Sequence, residues 1–248
     1  MCDERRTFAS IRISRITNVN GSLSHLEEKL GLTFNNPEIL RQAFVHRSYL
    51  NENPNLGMSH NERLEFLGDA VLELIVTEAL FAKFPEKPEG ELTSLRAALV
   101  NSKMLSEIAV ILSLNDFLLL SRGEAKDMGR ARQYILANTL EAFIGAIYLD
   151  LGYEKSRDFV LNNVFIHLDK VLSEKLYKDP KSLFQEEAQE RVGITPTYKV
   201  MKEWGPDHDK HFSIGVYLGG ELVSEGEGAS KQSAQEAAAR KGLQAKGW

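Results

Sequence analysis

The hydrophobic spacing of this 248-residue chain changes once, and that change limits what the chain can fold into. From about Leu23 to Leu176, apolar residues recur at every third or fourth position. Examples are "EILRQAFVHRSYL", "RLEFLGDAVLELIVTEALFAKF", "ELTSLRAALVNSKMLSEIAVIL" and "QYILANTLEAFIGAIYLDLG". This period puts them on one face of an α-helix. The breaks fall at turn-forming runs such as "NENPNLGMS", "FPEKPEGE" and "RGEAKDMGRA". Pro37 after Asn36 has the order of a cap followed by a first helical turn. Past "YKDPKS" one more helix, "PKSLFQEEAQERVG", gives way to short alternating stretches rich in β-branched and aromatic residues: "TYKVMKEWG", "HFSIGVYLGG" and "ELVSEGEG". "LGGEL" supplies a hairpin turn, and an alanine-rich helix, "SKQSAQEAAARKGLQAKG", ends the chain. A three-stranded antiparallel sheet with both helices on one face is the simplest packing for that order. The expected class is α+β: an extension over residues 1–22, an all-helical domain over 23–175, and a small α-β-β-β-α domain over 179–247.

The single cysteine, Cys2, excludes an internal disulfide framework and a cysteine-based zinc site, and fits a reducing, cytoplasmic setting. No stretch reaches the roughly 18 uninterrupted apolar residues of a membrane helix. The N-terminal "MCDERRTFASIRISRITNVNGS" carries Arg5, Arg6, Arg12 and Arg15 without an apolar core, so it reads as a loosely ordered tail rather than a secretory signal. The formal net charge is -5, and from Asp179 onward 9 Lys+Arg stand against 11 Asp+Glu. Any nucleic-acid binding must therefore come from locally placed groups rather than bulk charge.

Within the helical region, "NERLEFLGDAVLEL" sets carboxylates into an apolar run. Glu62, Glu65 and Asp69 fall at i, i+3 and i+7, on one helix face. A solvated face of an amphipathic helix would look the same. Two details weigh against that: the flanking residues are too apolar for an outer helix, and Gly68 sits in a helix interior, where it costs stability unless close packing requires it. "ILANTLEAFIGAIYLD" repeats the theme with Asn138 and Glu141 at i, i+3 and another small residue, Gly145. Two helices presenting oxygen atoms toward each other can hold a hard cation such as Mg²⁺, which can activate water and stabilise a displaced phosphate oxygen.

"ERLEFLGDAVLEL" resembles the signature helix of the ribonuclease III family, endonucleases that cut double-stranded RNA. "ILANTLEAFIGAIYLD", "AFVHRSY" (Ala43 to Tyr49) and "SRGEA" (Ser121 to Ala125) match as well. The resemblance implies metal-site carboxylates at Glu65, Asp69 and Glu141, with Mg²⁺ as the ion and Mn²⁺ able to substitute. It assigns Glu62 to support of the cleft and the dimer, and makes Glu89 a secondary acidic candidate. It implies a homodimer with no membrane, products ending in 5′-phosphate and 3′-hydroxyl, and processing of ribosomal and other structured RNA precursors. Phe66 and Leu67 are core or dimer contacts. One departure stands out: the family usually has Asp where this chain has Asn138. An amide can ligate a hard cation but brings no charge and cannot act as a base. Asn138 fits either a natural variant or a substitution that slows hydrolysis; the three remaining carboxylates favour the first.

The C-terminal order resembles the double-stranded RNA-binding domain, through "DPKSLFQEEAQ", "PTYKV", "GPDHDKHF" and "GEGASKQSAQEAAA". Ser182, Gln185 and Gln189 share a face that, by resemblance, meets the minor groove and its 2′-hydroxyls. Ser230 and Lys231 open the last helix, a ready phosphate site, with Ser230 as cap, phosphate donor, or both. Gln232 and Ala229 stand where basic residues are common, which weakens affinity and salt dependence. His208, in "DHDKH", falls by resemblance on the loop entering the second minor groove. The rival functions are a double-stranded RNA binder disabled at Asn138, and a Ser/His hydrolase using Ser48 and His46. The second lacks a nucleophile-elbow motif, and i, i+2 residues within a helix do not face each other.

Overall fold

The computed structural model describes residues 23–126, 129–206 and 209–248. The N-terminal extension and His208 lie outside the described residues. The chain divides into two units, Met1–Glu174 and Lys175–Trp248.

In the first unit, α1 covers residues 23–30. It is followed by α2 (Pro37–Ala43), α3 (Arg47–Glu52), α4 (Glu62–Lys83), α5 (Glu89–Val100), α6 (Ser102–Ile111), α7 (Arg130–Leu151), α8 (Tyr153–Asn163) and α9 (Leu168–Ser173). The start of α2 follows the cap reading: the Asn36 side chain accepts the Glu38 N–H at 3.1 Å, with Pro37 in the first turn. Helix α7 is the axis of this unit, and between Ile135 and Ile147 it is buried on nearly every side. A helix apolar all round belongs in a core. By length and composition α7 would also pass for a membrane span, but 61% of its most apolar window is buried inside the protein. Its Phe143 ring packs against Phe34, Phe44 and Phe159, at centroid distances of 6.1, 5.9 and 5.3 Å.

Two stretches with continuous helical spacing are broken in the fold. "EILRQAFVHRSYL" becomes α2 and α3, separated by an extended link. There Val45 forms an isolated bridge with Leu119; His46 N–H donates to the Leu119 carbonyl at 3.1 Å, and Leu119 N–H to that of Phe44 at 2.9 Å. "ELTSLRAALVNSKMLSEIAVIL" becomes α5 and α6. The break is at Asn101, whose side chain accepts the Met104 N–H at 3.0 Å and so caps the second helix. In both places side-chain or long-range hydrogen bonds satisfy backbone groups that a continuous helix would have paired internally.

The second unit contains α10 (Pro180–Val192), β1 (Thr197–Trp204), β2 (His211–Leu218), β3 (Glu221–Gly228) and α11 (Lys231–Lys246). The sheet is antiparallel in the order β1-β2-β3. Phe212, Ile214, Val216 and Leu218 alternate along β2 and are buried with Leu183, Phe184 and Ala188 of α10 and Ala234, Ala238, Ala239 and Leu243 of α11. Both helices thus cover one face of the sheet. Gly219, at φ 62°, takes the left-handed conformation that a two-residue hairpin turn requires. Irregularities in register, between Val200 and Lys202 and between Val216 and Tyr217, left no mark on the alternating pattern.

Candidate active site

Helices α4 and α7 meet at two glycines. A Cβ added at Gly68 would collide with the Glu141 carbonyl oxygen and lie 2.6 Å from its carbon and 2.8 Å from the Gly145 nitrogen. One added at Gly145 would collide with the Leu64 carbonyl oxygen and lie 3.1 Å from the Gly68 nitrogen. Each glycine costs its helix roughly 1 kcal/mol relative to alanine. The return is direct backbone contact, and the neighbours of those glycines are the candidate ligands: Glu65 and Asp69 on α4, Asn138 and Glu141 on α7.

The electrostatics confirm that these groups feel one another. Burial first, and then the charges of Asp69, Glu65 and Glu73, push the half-buried Glu141 carboxyl up to about 8. Glu65 is also raised, by burial first and then by Glu62, while hydrogen bonding from the Asn138 amide opposes the shift and Asp69 adds to it. Glu73, which the sequence reading did not assign to the site, thus joins the cluster one turn beyond Asp69.

A cavity of about 440 Å³ opens beside the cluster, reaching Glu65 and Asn138 but not Asp69 or Glu141. Its lining includes Glu62, Glu65 and Asn138, together with His46, Glu124 and Tyr134. Glu62 is held by Arg47 at 3.4 Å and His60 at 3.7 Å. Glu89 stands apart from this lining, exposed in the first turn of α5. Among the described residues, no three His, Cys, Asp or Glu side chains stand together as a ready-made metal cage. The donor chemistry nonetheless suits a hard divalent cation: every candidate is an oxygen donor, and the burial and mutual repulsion that raise Glu141 are what a cation would offset.

Glu124 and Tyr134 were not picked out as site residues from the sequence, and His46 only in the disfavoured Ser/His reading. His46 and Glu124 lie in "AFVHRSY" and "SRGEA", segments about 75 residues apart that share no local spacing. The Val45–Leu119 bridge brings them together. The expectation that His46 and Ser48 cannot face each other fails, because His46 precedes α3 as its N-cap instead of lying within it. His46 Nδ1 is 2.8 Å from Ser48 Oγ, which accepts the Ser121 N–H at 3.0 Å. The pair is a cap and a tie between segments. Burial, the largest influence, holds the His46 imidazole below its ordinary value, while Glu124 and Glu62 pull it upward.

In the second unit, Ser182, Gln185 and Gln189 are exposed along α10. The Ser182 hydroxyl is engaged by the capping Asp179 at 3.1 Å, and Gln189 accepts from Thr195 at 3.4 Å. Ser230 caps α11 in a reciprocal box with Ser233. Lys231 is exposed, its Nζ 5.6 Å from the centre of the Phe212 ring, and Gln232 donates to Glu236 at 3.0 Å.

The sequence profile described as Ribonuclease-III-like matches residues 36–168, and the double-stranded RNA binding motif matches residues 180–246. Ribonuclease 3 of Desulforamulus reducens is 45% identical over 221 residues, spanning 89% of this chain and 90% of that protein. This chain belongs to the ribonuclease III family. Ribonuclease 3 of Protochlamydia amoebophila is 44% identical over 218 residues, spanning 88% and 89% of the two chains. The solved nuclease domain of ribonuclease III from Campylobacter jejuni superimposes with a TM-score of 0.51 at 44% identity, covering 56% of this chain and 93% of that one. As a ribonuclease III with an RNA-binding motif, this protein is an endoribonuclease specific for double-stranded RNA. Enzymes of this family are generally metal-dependent.

Proposed function

We propose that the α4–α7 cleft is where this ribonuclease III hydrolyses the phosphodiesters of double-stranded RNA, leaving 5′-phosphate and 3′-hydroxyl ends. Glu65, Asp69, Glu141 and Asn138 would hold Mg²⁺, with Mn²⁺ able to substitute. The observation that carries this reading is Glu141, pushed to about 8 by burial and by three other carboxylates. Repulsion of that kind is expensive in a half-buried site and marks groups arranged to meet a cation. When bound, the ion would polarise the phosphate and make bound water more acidic. Glu141 itself can hold a proton near neutrality, and Asn138 can orient Glu65 through its amide. The substrates are taken to be ribosomal and other structured RNA precursors in the cytoplasm, a reading that rests on the substrate class.

The test is cleavage of long double-stranded RNA with Mg²⁺ and then with Ca²⁺. Discrete short duplexes with Mg²⁺ alone support the enzyme reading. A gel shift without cleavage under both ions supports a binder disabled at Asn138. In the same assay Asn138→Asp will tighten Mg²⁺ binding and raise or preserve the rate, since it restores a charge to the donor set. A clear loss of cleavage would remove position 138 from the metal site.

A homodimer is part of the same proposal. Phe66, Leu74 and Phe81 are 82%, 51% and 73% exposed on α4, the helix that carries Glu65. Phe66 is therefore not a core residue of this chain, whereas Leu67 is half-buried. Exposed aromatics of this size mark an association surface. The Campylobacter nuclease domain has a structurally flexible region involved in dimer formation. Phe66→Asp will shift the protein toward monomer in sedimentation equilibrium; an unchanged mass would exclude this stripe as the interface.

A further inference from the structure

The contacts to His46 decide where its imidazole carries its proton. Ser48 N–H donates to Nδ1 at 3.3 Å, so Nδ1 is an acceptor and bears no hydrogen. The Ser48 hydroxyl, 2.8 Å from the same nitrogen, accepts the Ser121 N–H and is thereby left to donate its own hydrogen to Nδ1. A neutral imidazole with an acceptor Nδ1 carries its proton on Nε2. One edge of the ring is thus fixed by the Ser48 amide and the Ser48 hydroxyl, the hydroxyl itself held by the Ser121 N–H, and Nε2–H is the donor left over.

His46 lines the same cavity as Glu65 and Asn138. That cavity is acidic, with Glu62, Glu65 and Glu124 in its wall; among the described residues no lysine or arginine lines it, and the nearby Arg47 is already paired with Glu62 at 3.4 Å. A phosphodiester strand entering it meets three carboxylates. A cation offsets those it binds, but contributes nothing to holding the strand elsewhere along the wall. We propose that His46 supplies this hold: its Nε2–H donates to a non-bridging phosphate oxygen of the RNA strand, as a substrate-positioning contact distinct from the metal ligands. The inference rests on the reading of this cleft as the hydrolytic site.

The experiment compares His46→Asn, His46→Ala and Glu65→Gln in the full-length protein. Asparagine is a good N-cap but too short to replace the distal donor, so it separates the two roles of the histidine. His46→Asn will keep the wild-type melting temperature, yet its KM for double-stranded RNA will rise about tenfold or more, the size of a hydrogen bond to a charged group. His46→Ala will lose both stability and binding. If His46→Asn restores KM along with stability, His46 is only a cap and the proposal falls. If Glu65→Gln also cleaves at the wild-type rate, the reading of the cleft fails with it. An independent check needs no variant: the His46 Nε2–H resonance will shift when double-stranded RNA is added with Ca²⁺ in place of Mg²⁺. An unmoved resonance overturns the proposal.

Discussion

Gly68→Ala will destabilise the protein by about 2 kcal/mol and abolish most of its cleavage activity. In an isolated helix the change would help, since alanine is better than glycine by roughly 1 kcal/mol. Here the added methyl group would run into the Glu141 carbonyl and lie within 2.8 Å of the Gly145 nitrogen. Overpacking against side chains costs about 1–3 kcal/mol. The obstacle at Gly68 is main chain, which cannot turn aside as a rotamer can, so the upper end of that range applies and outweighs the gain in propensity. Relief requires α4 and α7 to move apart, and that motion separates Glu65 and Asp69 from Asn138 and Glu141. A displacement of 1 Å in a catalytic arrangement can cost about 100-fold in rate. Urea denaturation and cleavage rates measured on the same variant check both parts. A variant as stable as wild type would mean that the two backbones do not touch.

Glu141→Gln separates what the fold prefers from what the chemistry requires. Cleavage will fall by on the order of 10²- to 10³-fold, because on the proposed reading a neutral amide withdraws a charge that would hold and balance the cation. Without metal, the same variant will be the more stable protein at alkaline pH. The sign follows from the proton. In the unfolded chain the carboxyl titrates near its ordinary 4.5, and in the fold at about 8. Below pH 4.5 both states hold the proton, and the group contributes no difference. Between 4.5 and 8 the folded protein keeps a proton that the unfolded chain gives up, so stability declines steadily as pH rises and the loss is complete above 8. Wild-type protein in chelator will therefore melt progressively lower from pH 5 to pH 8.5, Mg²⁺ will flatten the slope, and Glu141→Gln will flatten it without metal. A wild-type profile that stays level in chelator would contradict the repulsion described for the cluster.

Much of the architecture was legible in the residues. The switch from helical to alternating spacing beyond α10, near Thr197, separates the two kinds of structure, because burying one face of a helix and one face of a strand demands different periods. Gly68 and Gly145 were legible as contact points because glycine inside a helix is a loss without a neighbour. The breaks at Val45 and Asn101 were not. The spacing around both is helical, and what decides them is a carbonyl of Leu119 in one case and a cap in the other. The same bridge hid His46 and Glu124 from local reading, since no periodicity connects segments that meet only in three dimensions. Glu73 was visible in the signature helix, but its role depends on its approach to Glu141, which requires the second helix to be in place.

The glycine contact also bears on how this enzyme can vary. The two helices are spaced by their main chains, so the width of the cleft does not depend on which side chains project into it. On the proposed reading of the cleft, donor atoms can then be exchanged one at a time, an amide for a carboxylate at Asn138, without collapse of the frame around them. Such a site is a mount with interchangeable fittings: its catalytic strength can be turned down or restored by single substitutions, while the parts that cannot be exchanged are the two residues with no side chain at all.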